Sequence, residues 1–228
     1  MTITEMSPHF SRGTRLVASL LIFTWGIKSQ QIKTPIAGTD YLSNNTVLII
    51  RHAEKPPVGN ELTPAGYARA QAYVHYFEPF REDHLHIAVD ALYAGADSDS
   101  SIRPRQTLEP LSKATGLKLD TTVSTKAPGQ LVTLLRTELH GTHPLIAWRH
   151  GQMPALLAAF GAPPTLLPNG KWPDDVFDWV VILRFNRAAK LQSAHLVKEH
   201  LVIRTADGGV NDHLTTSSAV PSTTAPVE

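Results

Sequence analysis

The sequence contains no cysteine among its 228 residues. A disulfide framework, a thiolate zinc site, an iron–sulfur cluster and a cysteine nucleophile are therefore excluded. An excess of charge of one sign is also missing, because 21 Lys and Arg residues face 20 Asp and Glu residues and the formal net charge is +1. Nucleic-acid-binding domains normally carry a basic excess or stripe. We therefore expect no nucleic-acid partner.

Long hydrophobic runs are scarce. An uncharged run over residues 16–27 (LVASLLIFTWGI) is shorter than the roughly 20 apolar residues that cross a bilayer. It follows Arg12 and Arg15, an arrangement typical of an export signal, but the residues after it lack the small residues of a cleavage site. A buried or amphipathic helix is the alternative. We predict an exported or membrane-anchored chain with membrane contact through residues 16–27, and a cytoplasmic protein is the alternative.

Composition divides the chain into three segments. Residues 1–44 form a signal-like or anchor segment with a linker, and residues 45–210 form one domain. Residues 211–228 are rich in Ser, Thr, Pro and Ala. Such a segment has too few large apolar side chains to dock on a core, so we predict a disordered tail.

Short apolar runs alternate with longer segments of helical pattern. Strands are predicted over residues 46–50 (TVLII), 87–93, 144–148 (PLIAW), 176–185 and 199–204. Helices are predicted to begin after Thr63, which serves as N-cap, and to cover residues 103–115, 129–139 and 154–160. This alternation predicts an α/β fold: a three-layer α/β/α sandwich with a mostly parallel central sheet.

Two of the predicted buried strands end in the same dipeptide. Arg51 and His52 follow TVLII, and Arg149 and His150 follow PLIAW. Ligands of open α/β sheets bind at the carboxyl ends of the strands, so the two histidines are expected side by side. Arg103 begins a predicted helix, whose N-terminus favours anions. Arginine matches phosphate oxygens and neutral imidazole is a nucleophile, which predicts a site for a phosphoryl group.

Three motifs in order carry a resemblance to a known family. The segment VLIIRHAEK, with LTPAG at residues 62–66, resembles the opening of the histidine phosphatase superfamily, which includes phosphoglycerate mutases and acid phosphatases. RPRQT, beginning at Arg103, resembles the family's second-arginine motif, and His150 in WRHG takes the place of its second histidine. Residues 148–154 and 172–178 are similar to a bacterial branch. The resemblance covers residues 46–204, and the order of the motifs makes it specific.

The resemblance implies a role for each matched residue. His52 is the nucleophile that becomes phosphorylated. Arg51, Arg103 and His150 hold the phosphoryl oxygens and stabilise the charge that develops on them. Glu54 is a further candidate for substrate binding. No metal and no other cofactor are expected, because the arginines supply the positive charge.

The general acid of the family is missing from its usual places. Mutase-like members carry a glutamate before the second histidine, but residues 121–137 hold no acidic residue. Acid phosphatases carry aspartate after that histidine, where this chain has Gly151. Glu54, Asp174 and Asp175 are candidate proton donors. We therefore expect a leaving group that needs little protonation, such as that of a phosphohistidine or an activated ester.

The predicted activity is hydrolysis of a phosphomonoester or phosphoramidate through a phosphohistidine intermediate on His52. The substrate is a small phosphorylated molecule or a phosphohistidine protein. The alternatives are a catalytically weak phosphate-binding or signalling module of the same fold, and a phosphoglycerate mutase-like phosphotransferase. Arg149 is interpreted as accessory or structural, and Arg105 as a solvent-facing residue.

Overall fold

A computed structural model of the chain describes residues 39–138, 140–201 and 203. The expectations for the segment at 16–27 and for the tail at 211–228 lie outside these residues. Within the described part, no helix has the length and apolar character needed to cross a membrane.

Strands make up one main sheet and a small hairpin. In chain order the strands are β1 (Thr46–Arg51), β2 (Phe80–Glu82), β3 (Leu85–Ile87), β4 (Ala91–Ala94), β5 (Leu119–Asp120), β6 (Pro144–Trp148), β7 (Trp179–Phe185) and β8 (Leu191–Lys198). The main sheet has six strands in the order β5-β4-β6-β1-β7-β8, and β2 pairs with β3. Strands β5, β4, β6 and β1 run parallel, whereas β7 and β8 are antiparallel to their neighbours.

In the described part of the chain, four α-helices connect and cover the strands. They are α1 (Pro64–Tyr76), α2 (Arg103–Thr115), α3 (Pro128–Thr137) and α4 (Met153–Ala159), and each has a proline in its first turn. The Thr63 hydroxyl oxygen accepts from the Gly66 N–H at 3.1 Å and caps α1. Gly116 ends α2 with φ 75°, a conformation that glycine adopts without steric cost. The predicted helices are therefore present, with ends within two residues of the prediction.

Side chains of β1 alternate between two cores. Val47 and Ile49 pack with the core that includes α3 and α4, whereas Leu48 and Ile50 pack with the core that includes α1 and α2. A strand buried on both faces needs a continuous apolar run, which explains TVLII. The predicted α/β fold, with a mostly parallel sheet between two helix layers, is confirmed. Leu42 is fully buried in the first core, so the packed chain extends N-terminal of residue 45.

Strand boundaries differ from the prediction in three places. The run at 87–93 is divided between the end of β3 and the start of β4. The predicted strand at 199–204 is wrong for its described residues, 199–201 and 203, which lie outside strands, and β8 is the last strand of the described chain. Strand β8 is an edge strand in which only Ala194 is buried, so its sequence lacks an apolar run. Strand β7 starts at Trp179, because the preceding carbonyl groups bind an arginine side chain described below.

Candidate active site

The two histidines lie at the carboxyl ends of neighbouring strands. Strands β1 and β6 are parallel, with Arg51 opposite Trp148. The N–H of His52 donates to the Trp148 carbonyl oxygen at 2.9 Å. The rings of His52 and His150 have centroids 6.1 Å apart and planes inclined by 77°. The expected proximity of the two imidazoles is therefore observed.

His52 is held in one tautomer. Its Nδ1 lies 2.7 Å from the carbonyl oxygen of Ala53. Because a carbonyl oxygen only accepts, Nδ1 carries the proton and Nε2 of the neutral ring keeps its lone pair. Burial lowers the pKa of His52 to about 3; the Ala53 hydrogen bond opposes this shift, and the charges of Arg51 and Arg103 add to it. The ring is thus neutral at pH 7 and has a nucleophilic nitrogen.

Arg51 connects the histidine to the loop before β7. Its Nη1 donates to the carbonyl oxygens of Pro173, Asp174 and Val176 at 3.1, 2.8 and 2.8 Å. Its guanidinium carbon lies 3.8 Å from the centroid of the Phe177 ring. Burial lowers the pKa of Arg51 to about 10, so the side chain stays charged at pH 7. Its Nε and Nη2 are buried without a partner in the described chain, and can donate to an oxyanion.

Arg103 reaches the same region from the first turn of α2. Its Nη1 donates to the Gly59 carbonyl oxygen at 2.9 Å, and its Nη2 to the Ser100 carbonyl oxygen at 3.2 Å. Its Nε is buried and has no hydrogen-bond partner among the residues described. The Ala53 N–H donates to the Thr107 hydroxyl oxygen at 2.9 Å, which fixes this turn against the backbone after His52.

His150 is paired with one candidate carboxylate. Its Nε2 lies 2.7 Å from Oδ1 of Asp174, whose side chain is 87% exposed. Burial lowers the pKa of His150 to about 4; Arg51 and Lys55 add to this shift and Asp174 opposes it. Because the carboxylate accepts from Nε2, the lone pair of the neutral ring lies on Nδ1. That atom is buried and unpaired with any described residue. Asp175 is exposed and makes no hydrogen bond or ion pair within the described chain.

Glu54 belongs to a buried charge network behind the site. Its Oε1 accepts from Nε of Arg69 at 2.9 Å. Arg69 also binds Glu199 at 2.6 Å, and the hydroxyl of Tyr73 donates to Glu199 at 2.7 Å. Burial raises the pKa of Glu199 to about 7. Arg69 thus balances the charge of Glu54, and a substrate contact through the free Oε2 of Glu54 stays a prediction.

Sequence reasoning missed the residues that hold the site in place. Arg69 and Tyr73 are four residues apart on the buried face of α1. An arginine on the buried face of a predicted helix indicates a buried ion pair, and this signal was present in the sequence. Glu199 carried no such signal, because its partner comes from a distant part of the chain. The spacing of Trp172, Phe177 and Trp179 predicts core or pocket-wall side chains, and the Phe177 ring packs on Arg51. Arg149, interpreted as accessory, donates from Nη1 to the Ser100 hydroxyl at 3.2 Å.

Comparison with known proteins gives structural similarity alone. The sequence matches no family model, and no curated protein matches it. A SixA phosphohistidine phosphatase candidate from Agrobacterium tumefaciens is 17% identical, with a TM-score of 0.43 and coverage of 68% of this chain and 97% of that chain. A protein histidine phosphatase SixA in complex with tungstate is 12% identical, with a TM-score of 0.43 and coverage of 64% and 92%.

A phosphoglycerate mutase from Plasmodium falciparum is also similar. It is 13% identical, with a TM-score of 0.45 and coverage of 78% of this chain and 99% of that chain. At identities and TM-scores this low, the similarities establish neither a family nor an activity for this chain. The function is inferred below from the side chains themselves.

Proposed function

We propose that the chain is a histidine phosphatase, which hydrolyses a phosphomonoester or phosphoramidate through a phosphohistidine on His52. The supporting observation is the geometry of His52, which lies 6.1 Å from His150 and has its proton fixed on Nδ1 by the Ala53 carbonyl group. A neutral imidazole whose free nitrogen lies among cationic side chains suits attack on a phosphoryl group.

The reaction has two displacements. Nε2 of His52 forms a bond to phosphorus while the bond from phosphorus to the leaving oxygen or nitrogen breaks; the leaving atom keeps the electron pair and takes a proton from solvent. Water then attacks the phosphohistidine, the nitrogen–phosphorus bond breaks and its electron pair returns to Nε2, and both protons of the water leave with inorganic phosphate, so that His52 is restored. Free donors on Arg51 and Arg103 stabilise the charge on the phosphoryl oxygens.

His150 contributes a further donor once substrate binds. An anionic phosphoryl group favours protonation of the neighbouring ring, and Asp174 offsets the resulting positive charge. Nδ1 of His150 then donates to a phosphoryl oxygen. In this arrangement Asp174 acts through His150, and the leaving group departs with little protonation by the protein. The preferred substrates are therefore phosphohistidine or activated esters.

Trapping the intermediate tests the proposal. The full chain is mixed with phosphoramidate or an aryl phosphate, quenched in alkali and mapped by mass spectrometry. We expect an acid-labile phosphoryl group on His52 that is absent from His52→Ala and unchanged in His86→Ala, a control at an exposed hairpin position. Phosphate trapped on any other residue contradicts the assignment.

Assays on the same purified protein distinguish a phosphatase from the two alternative functions. Binding of phosphate without turnover would favour a signalling module, for which the absence of the family's usual acid is the supporting observation. Transfer of the phosphoryl group to a second hydroxyl, rather than to water, would favour a mutase. A leaving-group series is the further test, because equal rates for aryl and alkyl phosphates would contradict an unassisted departure.

A further inference from the structure

Two arginines converge on one residue beside the phosphoryl site. Nη2 of Arg103 donates to the Ser100 carbonyl oxygen, and Nη1 of Arg149 donates to the Ser100 hydroxyl oxygen, each at 3.2 Å. Arg149 also directly precedes His150, so its backbone belongs to the turn that carries the second imidazole. The two guanidinium groups are thus neighbours at the rim of the site.

No carboxylate of the described chain balances this pair of charges. Asp97, on the same loop as Ser100, is bound by Arg105 at 2.8 Å. Asp99 is exposed and forms no ion pair with either arginine. Burial lowers the pKa of Arg103, and the adjacent positive charge of Arg149 lowers it further. An anion bound between the two guanidinium groups would offset their repulsion.

Arg149 lies outside the set of donors assigned to the phosphoryl group. Arg51, Arg103 and His150 already offer four buried, unpaired nitrogen atoms around His52. Arg149 adds a guanidinium group whose one hydrogen-bond partner in the described chain is a neutral hydroxyl. A planar guanidinium with unused donors matches the paired oxygens of a carboxylate or phosphate.

We propose that Arg149, together with Arg103, binds a second anionic group of the substrate, a carboxylate or a second phosphate, adjacent to the phosphoryl group that His52 attacks. This inference rests on the proposed function for the position of the first phosphoryl group. It makes Arg149 a specificity-determining residue, and it defines the substrate class as phosphorylated compounds that carry another negative charge nearby.

Binding measured without turnover tests this inference independently of catalysis. Isothermal titration calorimetry of full-length His52→Ala compares pyrophosphate with orthophosphate, and phosphoglycolate with ethyl phosphate. We expect the member that carries a second anionic group, pyrophosphate or phosphoglycolate, to bind about tenfold more tightly in at least one pair, which corresponds to about 1.4 kcal/mol. A preference in the first pair identifies a second phosphate, and a preference in the second pair identifies a carboxylate.

Matched variants assign the preference to Arg149. In the same background, Arg149→Gln should remove the advantage while changing orthophosphate or ethyl phosphate affinity by less than about threefold. Arg105→Gln, whose arginine is paired with Asp97 and Glu109, should leave both affinities unchanged. The inference is overturned if neither pair shows a preference, or if Arg149→Gln weakens both members equally. Either outcome leaves the phosphohistidine experiment unaffected, so the two proposals fail separately.

Discussion

Asp174 holds the ring of His150 through a contact of 2.7 Å between Oδ1 and Nε2. The carboxylate is mostly exposed, yet it is the one candidate acid that touches a site histidine in the described chain. Its effect on catalysis is therefore expected through the orientation and charge of His150.

Asp174→Asn should lower kcat/KM by about 10- to 100-fold, which is about 1.4 to 2.8 kcal/mol of transition-state stabilisation. The neutral amide no longer offsets the charge of protonated His150, so the alkaline limb of the pH–rate profile should move to lower pH. Asp175→Asn is the matched control, because Asp175 is exposed and unpaired in the described chain. If the two substitutions lowered kcat/KM equally, the effect would come from the loss of a negative charge near the site and not from the contact with His150.

Arg51→Lys tests the dual role of this arginine. An ammonium group lacks the planar fork, so it cannot hold three loop carbonyl groups and an oxyanion together. We expect activity to fall by at least about 100-fold. The fluorescence of Trp172, whose Nε1 donates to the Val176 carbonyl oxygen at 2.8 Å, should also change. Arg103→Lys should lower activity without this fluorescence change. Unchanged fluorescence in Arg51→Lys would show that the loop does not depend on Arg51.

Arg69→Met should strongly destabilise the fold. It would leave the buried carboxylates of Glu54 and Glu199 without their common cation, at a cost of about 3–5 kcal/mol in the free energy of unfolding. Urea denaturation measures this cost. Arg184→Met, at an exposed position of β7, should change the stability by less than about 0.5 kcal/mol. A loss in Arg69→Met as small as that expected for Arg184→Met would mean that the network adds nothing to stability.

Stability should fall in mild acid because His52 is buried in its neutral form. Its pKa is about 3 in the folded chain and 6.5 in the reference state, so between these values the unfolded chain binds more protons. The free energy of unfolding therefore decreases as pH falls through this window, by up to about 1.4 kcal/mol per pH unit for this one proton. His52→Gln should reduce the slope of stability against pH, whereas His86→Gln should preserve it. An unchanged slope in His52→Gln would show that His52 titrates normally.

Gly66→Ala should destabilise the contact between α1 and the segment after β1. A Cβ atom at residue 66 would lie 2.5 Å from the backbone oxygen of Glu54, which cannot rotate away. We expect a loss of about 1–3 kcal/mol by urea denaturation. Gly129→Ala is the control in α3, because its Cβ meets no atom within 4 Å and alanine favours helix. An unchanged free energy of unfolding in Gly66→Ala would mean that α1 moves away from Glu54 at little cost in stability.

Helix ends and buried strands could be predicted from short stretches of sequence. The helix starts carry prolines, Gly116 ends α2, and β1 and β6 are continuous apolar runs, so each is readable from a few neighbouring residues. The prediction that the two histidines lie together required β1 and β6 to be parallel neighbours, which the structure shows. Strand β8 was not predicted, because an edge strand needs few apolar residues.

Contacts between distant residues could not be predicted. Asp174 was one of three equivalent carboxyl candidates until the fold placed it against His150. Arg51 uses Nη1 to bind three loop carbonyl groups and, within the described chain, leaves its other nitrogen atoms free for a ligand. The spacing of residues in the sequence does not show which carbonyl groups come close to Arg51.

The central place of β1 in the sheet affects the order of assembly. Both of its partners, β6 and β7, come much later in the chain. A nascent polypeptide that emerges from the ribosome therefore exposes an apolar strand with two open edges until most of the domain has been synthesised. The candidate site should accordingly form only in the last cooperative step of refolding, since half-assembled intermediates do not bring the two imidazoles together.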